Sequence, residues 1–208
     1  FREYDVRGVV GKDFSLDFAL SLGRAFVSLL KKANVGAKRV SVGRDVRLSS
    51  EGLAENIMKG IISAGIDVYD LGLCPTPLQY FSIHSLGLDG GIMVTGSHNP
   101  PEYNGFKLSI GKETIFGEEI QKIKETIQKK SWSESPGKGH IERYDIISAY
   151  NDFMLKRFSY LSGREYSRLK VVVDAGNGTA GIIAPEILNA MGCDVISLYC
   201  EPDGRFPN

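Results

Sequence analysis

Cysteine is scarce in these 208 residues. The three present, Cys74, Cys193 and Cys200, are an odd number without paired spacing. A disulfide scaffold is excluded, and buried or idle thiols in a reducing, cytoplasmic setting are expected. Histidine is equally sparse, and His84, His98 and His140 show no metal-ligand spacing. Net charge is missing too: 25 basic residues balance 25 acidic ones, which leaves no electrostatic footprint for nucleic acid. No apolar run approaches the roughly 20 residues of a membrane span. No signal-peptide pattern is visible, and the chain opens at Phe1, so a preceding start is expected to be missing. What remains is the composition of a globular protein, longer than one typical domain and short for two large ones.

The apolar residues that are present recur with clear periods. Phe18, Leu22, Ala25, Phe26, Leu29 and Ala33 fall on one helical face, with Ser15 placed to cap and Gly36 to stop. Lys38 to Val42 reads as a strand. Ser49 or Ser50 is expected to cap a second helix carrying Leu53, Ile57, Ile61 and Ala64, which ends at Gly65. Ile66 to Leu71 alternates as a strand. Thr76 followed by Pro77 predicts a cap and first-turn proline for a helix reaching about Leu86. Gly117 to Lys130 reads as a surface helix with glutamates early and lysines late. The stretch 131–139 has no period and reads as a loop; a helix is expected from Ile146 to Leu161, and a strand from Leu169 to Asp174.

One unit echoes another. Arg39 to Asp45 precedes a helix, Gly65 and the strand Ile66-Asp67-Val68; Leu169 to Asp174 precedes a helix, Gly192 and the strand Cys193-Asp194-Val195. Alternating strands and helices imply an α/β fold with mostly parallel pairing and right-handed crossovers. The expectation is a three-layer α/β/α domain over residues 1–143 with a mostly parallel mixed sheet. The start of a second, similar domain should follow over 144–208.

The richest segment for chemistry is Thr95-Gly96-Ser97-His98-Asn99-Pro100-Pro101-Glu102-Tyr103-Asn104-Gly105-Phe106-Lys107. It follows the buried-strand run Gly91 to Val94, so Ser97 is delivered at the end of a rigid element on a proline-stiffened loop. Gly96 permits close backbone approach or an unusual dihedral beside it. A serine hydroxyl is a weak nucleophile, and His98 and Lys107 are the neighbours that could activate it. Ser97 alone would fit a plain strand, turn and hairpin with its turn at Asn104-Gly105. The whole string favours covalent chemistry on an anionic group. It is not a nucleophile elbow of serine hydrolases, because Asn99 stands where the second glycine is needed.

The string resembles the phosphoserine loop of the α-D-phosphohexomutases, the phosphoglucomutase and phosphomannomutase family. Phe1-Arg2-Glu3-Tyr4-Asp5-Val6-Arg7-Gly8 is similar to that family's N-terminal motif; by itself it would pass for a solvated terminus with an aromatic anchor. Gly43-Arg44-Asp45-Val46-Arg47 is similar to its first-domain signature. Read from the residues, it fits a buried Asp–Arg network with a helix cap as well as an anion-binding helix start. Asp174-Ala175-Gly176-Asn177-Gly178-Thr179 resembles the second-domain opening, and its residues favour a structural tight turn over a phosphate cradle. Pro202 to Asn208 resembles the stretch before the family's metal loop.

The resemblance implies a mutase that moves a phosphoryl group between C1 and C6 of a glucose or mannose phosphate. Ser97 would be the phosphoryl carrier, and a hexose 1,6-bisphosphate the intermediate and activator. Lys107 would act as proton carrier or electrostatic clamp, His98 would orient the site, and Tyr4 and Arg7 would line its floor. Mg²⁺ would meet this chain only through the phosphate on Ser97, the family's aspartate-rich loop being expected beyond Asn208. The chain alone is therefore expected to be inactive. Its partner is a small phosphosugar, with no nucleic acid or membrane involved and the oligomeric state unspecified. The rival readings are a phosphoglucosamine mutase of the same family and a phosphosugar-binding module without turnover.

Overall fold

The computed structural model describes residues 1–132, 135, 137–161 and 169–208. Among the described residues six α-helices and nine strands follow one another: β1 (Val6–Val9), α1 (Leu16–Ala33), β2 (Arg39–Arg44), α2 (Ser50–Ser63), β3 (Asp67–Leu73), α3 (Thr76–Leu86), β4 (Gly90–Val94), β5 (Tyr103–Ile110), β6 (Glu113–Thr114), α4 (Glu118–Lys129), β7 (Ile141–Arg143), α5 (Ile146–Arg157), β8 (Lys170–Asp174), α6 (Ala184–Ala190) and β9 (Asp194–Leu198). Seven strands form one mixed sheet in the order β1-β5-β4-β2-β3-β7, with β6 added to β5. It is parallel from β4 through β2 and β3 to β7, and antiparallel where β5 lies between β1 and β4.

Alternation on the strands builds a core on each face of this sheet. Ile92, Val94, Phe106 and Leu108 turn to one side, where Leu22, Phe26 and Leu30 of α1, Ile57 and Ile61 of α2, and Ile120 and Ile123 of α4 cover them. Met93 turns to the other side and meets Leu71, Cys74, Leu78 and Ile146, beneath α3 and α5. That makes the three layers, helix, sheet, helix. Burial in the second core pushes the Cys74 thiol up to about 12, so it stays protonated and inert. Cys193 and Cys200 are free and half-buried.

The strand–helix–strand echo is visible in the register. Arg39 pairs with Asp67 at the start of the parallel pair β2–β3, and Lys170 pairs with Asp194 at the start of β8–β9. Gly65 (φ 81°) and Gly192 (φ 93°) make the same left-handed step between helix and strand. The Asp67 and Asp194 amides each donate at 2.9 Å to the carbonyl just before the first strand of their pair, Lys38 and Leu169 respectively.

Several expected details move. The hydroxyl of Ser49 does not cap α2 although Ser49 stands at the capping position; it accepts from Asn104 Nδ2 at 2.9 Å instead. Pro75 holds the capping position of α3, and Thr76 opens the helix. Ser15 does cap α1, accepting from Phe18 N, but the helix stops at Asn34, two residues before Gly36. The α5 helix ends at Arg157, and a 3-10 turn covers Ser159–Leu161. Of the expected loop at 131–139, residues 133, 134 and 136 lie outside the described ones; the rest carry neither helix nor strand. Among the described residues no helix is long and apolar enough to cross a membrane.

Candidate functional site

The Asn104-Gly105 pair is not a hairpin turn. Both residues lie inside β5, opposite Gly8 and Arg7 of β1, and the chain reverses earlier, between Gly96 and Glu102. Gly105 is needed for a different reason: a side chain there would sit 2.6 Å from the Val6 carbonyl oxygen. Asn104 is fully buried and bridges to α2, its Nδ2 donating to Ser49 Oγ and Ser50 Oγ at 2.9 Å each. Lys107 lies beside β4, opposite Met93, with Phe106 and Leu108 buried on the other face.

The Gly96–Glu102 reversal is gripped from within by two side chains of the turn after β2. Asp45, nearly buried, accepts from Thr95 Oγ1 (2.8 Å), Gly96 N (3.2 Å), Ser50 Oγ (2.5 Å) and Arg47 N and Nε (3.1 Å each). Arg47, whose side chain is only 1% exposed, spends its other donors on the loop backbone. Its Nη1 donates to the carbonyls of Pro100 (2.5 Å) and Tyr103 (2.9 Å), and its Nη2 to those of Ser97 (3.0 Å) and Asn99 (2.7 Å). Burying an ion pair is favourable only when every proton and lone pair is matched, and this one is. The fit explains Gly96, where a Cβ would lie 2.5 Å from Arg47 Cζ.

So held, Ser97 adopts φ 55°, in the left-handed region where non-glycine residues cost on the order of 1–3 kcal/mol. Its amide donates to Thr95 Oγ1 at 2.9 Å, and its side chain stands exposed with Oγ 3.2 Å from His98 Nδ1. A hydroxyl is thus displayed outward from a backbone that cannot retreat. Ser97 and His98 line a cavity of about 380 Å³, together with Arg47, Asn99, Pro100 and Pro101 from loops of the first sheet and Gly176, Phe206 and Asn208 from loops that follow the strands of the second.

A second cavity, about 680 Å³, gathers Tyr4, Arg7 and Lys107 with Arg2, Glu3 and Asp5. Asn99 and Pro100 line both cavities and form the wall they share. The register places the Lys107 side chain on the same face as Asp5 and Arg7, because Val6 pairs with Phe106. Asp5 is nearly buried between the two cations, accepting from Arg7 Nη2 and lying 3.7 Å from Lys107 Nζ. Tyr4 is 66% exposed and packs on Phe116 with ring centroids 6.2 Å apart. The structure therefore brings Tyr4, Arg7 and Lys107 together and sets Ser97 with His98 next door. Asp5, Asp45 and Arg47 were not among the expected site residues. Each has a near partner two residues away, but what makes them part of the site is far away in sequence: Lys107 for Asp5, Thr95 and Gly96 for Asp45, and the serine-loop carbonyls for Arg47; the local signal was the Arg-Asp-x-Arg string leaving a strand.

A metal is a further question of fit. Among the described residues no group of three or more His, Cys, Asp or Glu is placed to hold one. Ser97, if phosphorylated, would offer the oxygens of one phosphoryl group.

The family described as phosphoglucomutase/phosphomannomutase matches twice, its alpha/beta/alpha domain I over residues 1–134 and its domain II over 148–208. The phosphomannomutase/phosphoglucomutase of Pseudomonas aeruginosa is 44% identical over the whole chain, which covers 43% of that relative. The phosphoglucomutase of Neisseria gonorrhoeae is 38% identical, again over the whole chain and 44% of the relative. Among solved structures, a phosphoglucomutase/phosphomannomutase family protein from Burkholderia thailandensis superposes with a TM-score of 0.89 at 39% identity, covering 100% of this chain and 45% of that one. The chain thus spans less than half the length of these relatives. With both alpha/beta/alpha domains matched in order, and the Ser97 loop at the end of the first sheet, the chain belongs to the phosphoglucomutase/phosphomannomutase family.

Proposed function

We propose that the protein is a phosphohexose mutase, moving a phosphoryl group between C1 and C6 of glucose or mannose phosphate through a phosphorylated Ser97. The observation that carries this reading is the display of Ser97: an exposed hydroxyl at φ 55° on a loop whose carbonyls are fixed by one buried arginine. In-line phosphoryl transfer depends on positioning and charge neutralisation more than on covalent activation. A rigid carrier and a neighbouring cationic cavity supply those two requirements.

In the forward half-reaction the bond between phosphorus and Ser97 Oγ breaks as a bond to a sugar hydroxyl oxygen forms. The hydroxyl proton leaves as that bond forms, and Lys107 is the group assigned to carry it or to clamp the developing anion. Arg7 grips a phosphate with its planar fork of donors, Tyr4 lines the entrance, and His98 orients Ser97 Oγ. A hexose 1,6-bisphosphate then reorients and returns its other phosphoryl group to Ser97. Mg²⁺ is the ion that would offset charge on the phosphoserine. This chain would hold it only through a phosphoryl group on Ser97, so none of the steps above is routed through the ion. The reaction is assigned to the cytoplasm, in keeping with the free thiols.

The test is made in the full-length protein with labelled glucose 1,6-bisphosphate. Label should appear on Ser97 by phosphopeptide mapping, and Ser97→Ala should lower mutase turnover by at least about a thousandfold. Label on another serine would refute the assignment.

A further inference from the structure

The glycine-rich turn after β8 does not touch the Ser97 loop through a charged group, yet it controls a segment that does reach it. Asn177 (φ 59°) is nearly buried and serves as a hub. Its amide donates to the Tyr199 carbonyl (2.8 Å), and its Nδ2 to that of Glu201 (2.9 Å). Its own carbonyl accepts from Asp203 N (3.0 Å), and its Oδ1 from Asn208 Nδ2 (3.1 Å). The segment it holds is stiffened further by Asp203, which accepts from the amide and guanidinium of Arg205. Those hydrogen bonds hold the Asp203 carboxyl well below its usual range, at about 2.

This anchored segment ends on the first domain. Gly204 is packed so closely that a Cβ there would lie 2.4 Å from the Val46 carbonyl oxygen and 2.8 Å from Leu48 N. Two residues later the Phe206 ring sits over the Arg47 guanidinium, 5.2 Å from Cζ to ring centroid. Gly96 lies against the same guanidinium. The group that fixes the carbonyls of Ser97, Asn99, Pro100 and Tyr103 is therefore pressed between the serine loop and an aromatic ring delivered by the second domain.

We propose that Phe206 is a positioning residue for Ser97, acting through Arg47: its ring desolvates and orients the guanidinium, so the serine loop is rigid only while the Asn177-anchored segment is seated. A cation over an aromatic face gains from the ring quadrupole, and the gain grows when water is excluded. An aliphatic side chain of similar bulk keeps the packing and loses that attraction. The coupling itself is a statement about loop rigidity and stands apart from the mutase reading; only its kinetic consequence rests on that reading.

The experiment is hydrogen exchange of the full-length protein at the amides of Ser97 and Asn99, compared with α1 as an internal reference. Phe206→Leu should speed exchange in the loop by about three- to tenfold with α1 unchanged, and Phe206→Tyr should restore it. Gly204→Ala, which forces the segment off Val46, should act as Phe206→Leu does. In the full-length protein Phe206→Leu should lower kcat by a similar factor while leaving KM in place. Unchanged loop exchange in Phe206→Leu overturns the proposal. So does faster exchange that spreads equally to α1, which would mark a loss of stability rather than of positioning. Faster loop exchange without any change in kcat leaves the coupling standing and counts against Ser97 as the phosphoryl carrier.

Discussion

The unit β2–α2–β3 and the unit β8–α6–β9 are built alike and used differently. Both run strand, turn, helix, left-handed glycine, strand, with the same Gly-x-Asp-Val step. In the first unit the strands are covered on both faces, and Val40 and Val42 are fully buried. Its turn can therefore bury a matched carboxylate and guanidinium and aim them at the Ser97 loop. In the second unit the strands show much more apolar surface, with Val172 59% and Ile196 50% exposed. Its turn carries no buried charge and works through backbone geometry at Gly176 and Asn177. One scaffold thus yields a buried ionic clamp in the first unit and a buried, uncharged hydrogen-bonded hub at Asn177 in the second.

If that contrast is right, the clamp should matter most to stability. Arg47→Ala leaves Asp45 buried without its charge partner, for which a loss of about 3–5 kcal/mol is expected. Urea unfolding of the chain measures it, and a loss below about 1 kcal/mol, the range of exposed pairs, would erase the distinction between clamp and hub. Asn177→Ala unties Glu201 and Asn208 but leaves no buried charge, so about 1–3 kcal/mol is expected. The local signature is faster amide exchange at Asp203. Gly65→Ala and Gly192→Ala probe what the two units share. A side chain in the left-handed region should cost about 1–2 kcal/mol at each position. A neutral Gly192→Ala would mean that the echo is one of sequence alone.

Periodicity carried most of the architecture. The α1 face from Phe18 to Ala33 and the buried run Gly91 to Val94 were legible because their partners only need to be apolar. The turn at Asn104-Gly105 was misplaced for a physical reason. That dipeptide favours a tight hairpin locally, but two flanking strands absorb it here, and Asn104 is held by Ser49 and Ser50 from over fifty residues earlier in the chain. The same holds for Ser49 and Thr76, good capping residues whose expected caps are not made. At the candidate site, Ser97, His98 and Lys107 stand close together in sequence, so a local string was enough to nominate them. Asp45 and Arg47 could be narrowed only to a buried network or an anion site. Which one holds depends on carbonyls supplied by a loop about fifty residues away.

Asp5 gives the cationic cavity a property that neither Arg7 nor Lys107 would give it alone. One carboxylate against two cations leaves a single net positive charge facing the entrance. A phosphate dianion is drawn in by such a field but is not fully neutralised by it. On the proposed function, a bisphosphate has to let go, turn end over end and bind again, and for it a moderate grip would be a kinetic asset. Asp5→Asn should therefore tighten sugar bisphosphate binding in the full-length protein and slow its departure, read as a lower KM with a lower kcat. A raised KM would show that Asp5 serves capture instead.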